Sequence, residues 1–130
     1  FLTLHPYEYA KLLKEKMRKF NVPVYLVNTG WVGANANTGA KRISLPLTRK
    51  IIHRILDGAI EREKFEKDQF FDFKIPISLD DIDSSILNPR NSWSNEIDYH
   101  SAAEILVHKF KNNYTKYDLG NNEILNGGPK

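Results

Sequence analysis

The apolar run Val22-Pro-Val-Tyr-Leu-Val27, stopped at Asn28-Thr-Gly30, constrains this chain most. It is too rich in β-branched and aromatic residues for a loop and too short for a helix, so the pattern predicts a buried strand over residues 22–27. Residues 28–40 then form a loop of Gly, Ala, Asn and Thr, which delivers two adjacent cations, Lys41 and Arg42, to the mouth of a helix. A strand feeding such a loop and then a helix N-terminus is a common way to build an anion or nucleotide site. Trp31 is expected to be buried against that loop.

The rest of the chain reads as helices with short strands between them. Pro6 suits the first position of a helix, where its missing N–H costs nothing. Tyr9, Leu12, Leu13, Met17 and Phe20 recur at helical spacing, and Asn21 and Pro23 end that helix. Residues Ile43 to Leu45 are expected to be extended, because Pro46 restricts Leu45 to β-type angles. A second helix is predicted from about Leu47 to Asp57, with Leu47, Ile51, Ile55 and Leu56 inward and Gly58 as its C-cap. Glu61 to Gln69 is a charged connector, and the alternation in Phe71 to Ile75 predicts a half-buried strand that Pro76 confines to an edge. Asp80-Asp81-Ile82-Asp83 lacks the ligand order of an EF-hand loop and reads as a solvated turn or helix start. Ser94 can cap a third helix that buries Ala103, Leu106, Val107, Phe110 and Tyr114. Residues 118–130 have little to anchor them and are expected to form a flexible tail.

With 130 residues, one domain is the natural expectation. The absence of cysteine excludes a disulfide framework and thiolate metal sites, and suits a cytoplasmic setting. No apolar run approaches the roughly 20 residues of a membrane span, and no signal pattern opens the sequence. Phe1 in place of Met fits a piece of something longer. The net charge of +3 permits anionic partners without demanding nucleic acid. One basic group (Lys11, Lys14, Lys16, Arg18, Lys19) crowds the first helix and reads as its solvated face; another (Lys41, Arg42, Arg49, Lys50, Arg54) sits beside the loop. The loop is not a P-loop: Gly33 and Gly39 are separated by five residues, Ala40 precedes Lys41, and Arg42 stands where a hydroxyl residue would hold Mg²⁺. His5, His53, His100 and His108 include no i, i+4 pair, which argues against a zinc site.

Six motifs in order carry a family resemblance. They are Phe1-Leu-Thr-Leu-His-Pro6; Asn28-Thr-Gly-Trp31 with Lys41-Arg-Ile-Ser44 and Thr48-Arg49; Ile51-Ile52 with Ile55-Leu-Asp-Gly58; Phe73 to Pro76; Ile86-Leu-Asn-Pro-Arg-Asn91; and Phe110 to Tyr117. Over roughly the first 118 residues the chain resembles the C-terminal nucleotide-binding segment of the ATP-dependent phosphoenolpyruvate carboxykinases. The break at Ala40 departs from the uninterrupted Gly-Lys-Arg of related sequences, whereas the spacing of Arg42-Ile43 to Thr48 is retained.

The resemblance implies a mixed α/β fold: a few short strands packed with about three helices, residues 1–117 being part of a larger nucleotide-binding domain. It implies conversion of oxaloacetate and ATP to phosphoenolpyruvate, ADP and CO₂, with Mg²⁺ and Mn²⁺ in the complete enzyme. The phosphate loop, metal ligands and substrate residues of the family lie upstream of any such segment, so the 130-residue chain alone is expected to be inactive. Its share of the site is the adenine end of ATP, on Arg42, Ile43 and Thr48. An Arg guanidinium can stack on a purine or donate in a fork, and a Thr hydroxyl can both donate and accept. From the residues alone, Arg42 could instead pair with a carboxylate and Thr48 cap the second helix. At the level of function, the alternative is a stand-alone basic α/β module that binds nucleic acid.

Overall fold

A computed structural model describes residues 3–35 and 37–130. Phe1 and Leu2 of the first motif, and Ala36 of the loop, lie outside the described residues. The fold is mixed α/β, as expected: six α-helices and two small antiparallel sheets among the described residues. Three helices are long, α1 (Pro6–Phe20), α2 (Leu45–Leu56) and α5 (Glu96–Tyr114), and they answer to the three in the sequence pattern. The others, α3 (Ser84–Leu87), α4 (Pro89–Ser92) and α6 (Asn122–Asn126), are too short for a periodicity to register.

Capping chemistry sets the helix ends. α1 has Pro6 in its first turn, His5 Nδ1 accepting from the N–H of Tyr7 at 3.2 Å, and Asn21 in the left-handed region at its C-terminus. The cap of α5 is Asn95, not Ser94, and its side chain accepts from the N–H of Ile97 at 2.9 Å. Asp83 caps α3 by accepting from the N–H of Ser85 at 2.9 Å, so the acidic turn is indeed a helix start. The predicted strand over Phe71 to Ile75 begins later. β3 (Phe65–Lys67), inside the charged connector, pairs with β4 (Lys74–Pro76). Asp72, at φ 62°, turns the chain between them.

Two small cores form. Phe70, Tyr99, Ala103 and Val107 make one, with Phe71 and Trp93 against it. Ile60, Leu79 and Ile82 make the other, packed by Tyr25, Leu47, Ile51, Ile55 and Leu87. Much apolar surface is left outside both. α1 buries none of its residues, and Leu106 and Phe110 of α5 are about half exposed. Residues 22–27 form no strand, and Val22, Val24 and Leu26 are exposed. The expected strand over residues 22–27 and the expected burial of Leu106 and Phe110 fail for one reason: each asks for a covering layer that these residues do not supply to one another. Residues 118–130 carry α6, whose Glu123 pairs with Lys14 and Arg18 of α1, and the N–H of Lys130 donates to the C=O of Phe70 at 2.8 Å. No helix among the described residues is long and apolar enough to cross a membrane.

Candidate nucleotide-binding site

The site starts at the turn after residue 27. Asn28 Oδ1 accepts from the N–H of Gly30 at 2.9 Å, and Asn28 Nδ2 donates to the C=O of Trp31 at 3.1 Å. This Asx-type turn aims the chain into β1 (Trp31–Val32), which pairs antiparallel with β2 (Lys41–Arg42). Trp31 faces Arg42 in the register, and Val32 faces Lys41. The N–H of Ile43 extends the pairing by donating to the C=O of Gly30 at 2.9 Å. In the connecting loop, Thr38 uses both its N–H and its hydroxyl on the C=O of Asn35. Gly33 is required where it stands: φ is +86°, and a Cβ there would lie 3.0 Å from the C=O of Ser92.

Beyond Ile43 the chain enters α2. Ser44 is its N-cap, the hydroxyl accepting from the N–H of Leu47 at 3.3 Å and the C=O accepting from the N–H of Thr48 at 3.0 Å. α2 therefore begins at Leu45, two residues before the predicted start, with Pro46 inside the first turn where its lost donor is harmless. Thr48 is not the cap. It sits one turn in, buried at 8% exposure, and its hydroxyl makes no side-chain hydrogen bond among the described residues.

The three candidate residues thus have distinct environments. Arg42 is exposed on β2, and among the described residues no carboxylate pairs with it. Ile43 is buried at 7% exposure. Its N–H is committed to Gly30, which leaves its C=O as the free backbone group: no backbone or side-chain donor among the described residues reaches it. Within the second basic group the roles divide. Arg54 binds Asp57 and Asp81, Lys50 binds Asp81, while Lys41, Arg42 and Arg49 make no ion pair among the described residues. The outcome is an exposed cation, a free carbonyl on an apolar base, and the hydroxyl of the largely buried Thr48 in consecutive turns of chain.

Trp31, expected to be buried, is 48% exposed. Its partner strand has two residues, and nothing among the described residues closes over the indole. A cavity of about 1420 Å³ adjoins the hairpin, lined by Asn28, Val32 and Ile43 together with Val24 to Val27, Phe73 and Leu106, among others. Neither Arg42 nor Thr48 lines it. Its size and apolar walls suit a missing protein layer better than a nucleotide, since ligand pockets run to about 300–1,000 Å³ and carry placed polar groups. Among the described residues no three His, Asp or Glu side chains converge on a point that could hold a metal ion.

Sequence reasoning missed Asn28 and Ser44, which hold the site in shape. The signals were present: Asn-x-Gly for a side-chain-closed turn, and Ser ahead of Leu-Pro for a cap with proline in the first turn.

Comparison with known proteins bears on this segment directly. A family model described as phosphoenolpyruvate carboxykinase matches residues 1–85. A phosphoenolpyruvate carboxykinase (ATP) of Leptospira biflexa serovar Patoc is 50% identical over 124 residues, covering 95% of this chain and 23% of that protein. The same-named protein of Caldanaerobacter subterraneus subsp. tengcongensis is 44% identical over 130 residues, covering 100% of this chain and 25% of that protein. That of Campylobacter jejuni subsp. doylei is 45% identical over 118 residues, or 91% and 22%. The chain spans about a quarter of the length of these relatives.

Proposed function

Because the chain belongs to the phosphoenolpyruvate carboxykinase family, we propose that it forms the adenine-end wall of the ATP site in a phosphoenolpyruvate carboxykinase (ATP). The complete enzyme would convert oxaloacetate and ATP to phosphoenolpyruvate, ADP and CO₂, serving gluconeogenesis in the cytoplasm. Residues 1–117 would belong to its nucleotide-binding domain, with residues 118–130 as a C-terminal extension. Mg²⁺ and Mn²⁺ would supply charge neutralisation at the transferred phosphate in the complete enzyme; the described residues here offer no converging ligand set for them.

The observation that carries this reading is the free C=O of Ile43, set between Arg42 and Thr48. A carbonyl accepts from an exocyclic amine such as that of adenine. The guanidinium of Arg42 covers a purine face or donates to it, and the Thr48 hydroxyl serves either sense of hydrogen bond. The side chain of Ile43 supplies an apolar floor. None of these groups touches the reacting phosphate. Their work is to fix the far end of ATP, so that binding energy spent there orients the γ-phosphate toward its acceptor.

The test is titration of ATP, and separately of duplex DNA at several salt concentrations, into a full-length enzyme carrying this segment. Saturable ATP binding that Arg42→Ala weakens is the expected result. Steep, salt-dependent DNA binding with no nucleotide preference would overturn the reading in favour of a nucleic-acid-binding module.

A further inference from the structure

Helix α1 is tied to the rest of the chain along one stripe. Tyr7, Lys14 and Arg18 recur at helical spacing and so share a face of α1. The Tyr7 hydroxyl accepts from Asn121 Nδ2 at 3.4 Å. Glu123 pairs with the ammonium of Lys14 and, at 3.6 Å, with the guanidinium of Arg18. The His5 cap meets Tyr117 edge-on, with ring centroids 5.9 Å apart. Among the described residues, these are all the hydrogen bonds, ion pairs and ring contacts that α1 and its cap make with the chain beyond Asn21. Burial agrees: within α1 only Pro6, Tyr7 and Lys14 are half-buried, and the other residues are exposed. An isolated helix of about 12–15 residues is marginal in water, so α1 depends on whatever holds it.

The end of the chain is shaped to make these contacts. Gly120, at φ +73°, turns the chain after α5, and its N–H donates to Asp118 Oδ1 at 2.8 Å. Asn121 then uses both ends of its amide. Its Oδ1 caps α6 by accepting from the N–H of Glu123 at 3.0 Å, while its Nδ2 reaches Tyr7. The cap thereby fixes Glu123 opposite the two cations. The Lys14 ammonium holds the Glu123 carboxyl below its ordinary pKa, with Arg18 adding to it. An exposed ion pair is weak alone, but here one carboxylate takes two cations beside a hydrogen bond and a ring contact. Past α6 the chain returns to the first core: the N–H of Lys130 donates to the C=O of Phe70 at 2.8 Å, and its ammonium lies 3.7 Å from Asp72. From this, we infer that residues 117–130 are a strap that holds α1 to the β3–β4 turn, with Glu123 as its ionic clasp. Because α1 leads through residues 22–27 into the Asn28 turn, the strap also steadies the approach to the hairpin that carries Arg42. The inference rests on contacts within the chain and not on the nucleotide reading.

Hydrogen exchange on the 130-residue chain, without nucleotide, tests this. Deletion of residues 118–130 and, separately, Glu123→Lys are expected to speed exchange of the α1 amides from Lys11 to Met17 by at least about tenfold. Ala103 and Val107 of α5 should keep their protection in both. Glu123→Lys combined with Lys14→Glu and Arg18→Glu remakes the clasp with its signs reversed, and should return α1 to the rate of the unaltered chain. Unchanged α1 exchange in the deletion or in Glu123→Lys would overturn the proposal. So would a charge swap that leaves α1 as fast as Glu123→Lys alone, or α1 amides that exchange freely in the unaltered chain. Should the deletion also unprotect α5, Glu123→Lys and the charge swap decide. Because no nucleotide is present, failure here leaves the ATP reading standing, and failure of ATP binding leaves this one standing.

Discussion

Arg42 stands directly across from Trp31 in the β1–β2 pair, while its neighbour Lys41 stands across from Val32. Directly opposed residues share a face of a sheet and adjacent residues point to opposite faces, so Arg42 shares the indole's side and Lys41 does not. In a full-length enzyme carrying this segment, Arg42→Ala is therefore expected to weaken ATP use more than Lys41→Ala does. Loss of a charged hydrogen-bond partner costs about 1.5–3 kcal/mol, or roughly ten- to a hundredfold. The adenine end is held alike in ground and transition states, so the effect should fall on KM for ATP. Steady-state kinetics with ATP varied and oxaloacetate saturating would remove Arg42 from the site if both KM and kcat were unchanged.

The same face carries a reporter. Trp31 is half exposed, whereas Trp93 packs edge-on to Tyr99 with centroids 5.9 Å apart. In a Trp93→Phe variant of the chain, the emission of Trp31 should lie near that of indole in water and be readily quenched by acrylamide. A Trp31→Phe variant should retain a protected Trp93. Strong shielding of Trp31 would show that the hairpin closes over it.

What the sequence made legible was what depends on neighbours along the chain. The break of the apolar run at Asn28, Pro6 at the start of α1 and the presence of α2 and α5 all rest on local spacing and local hydrogen bonds. The spacing of Arg42, Ile43 and Thr48 was legible too, through the resemblance. Burial was not. Leu12, Leu13, Leu26, Leu106 and Phe110 are apolar in pattern but exposed, because burial depends on layers distant in sequence. Nor could the sequence say that Ile43 spends its N–H on Gly30 and keeps its C=O free, since that choice follows from the register of a two-residue strand pair.

Within α5 the difference between pattern and burial is measurable. Val107 is 5% exposed in the core of Phe70, Tyr99 and Ala103, and Leu106 beside it is 44% exposed. Val107→Ala is expected to destabilise the chain by about 2 kcal/mol, by the lost methyls and the cavity left behind. Leu106→Ala should cost less than about 1 kcal/mol in the chain alone. Denaturant unfolding of both variants checks the order; equal losses would show that Leu106 is covered.

Acid should loosen the β3–β4 turn and α3 together. The ammonium of Lys67, 2.6 Å away, holds the Asp72 carboxyl below its ordinary pKa, with Lys130 adding to it, and the N–H of Ser85 does the same for Asp83. Depressed folded-state values contribute stability that is fully present above the unfolded pKa, about 3.9, and is lost as pH falls through the folded values. Stability owed to these two groups should be flat from pH 7 to about 5 and decline below about 4. Asp72→Asn should flatten that decline, as read from Tm against pH, and a decline of unchanged size would free Asp72 of this role.

Thr48 offers the sharpest separation of site from scaffold. Ser44 already caps α2, so the Thr48 hydroxyl is not needed for the helix, and Thr48 itself is 8% exposed. Thr48→Val keeps the shape and deletes only the hydroxyl; because the group makes no side-chain hydrogen bond among the described residues, Tm should hold or rise slightly. If the hydroxyl reads the purine edge, losing it costs about 0.5–1.5 kcal/mol, a rise of roughly two- to tenfold in KM for ATP. Thr48→Ser should restore KM while losing a little stability through the missing methyl. A capping role would give the opposite pattern: Tm falling in Thr48→Val with KM unchanged. Measured side by side on the full-length enzyme, these two readouts assign the hydroxyl either to the nucleotide or to the helix.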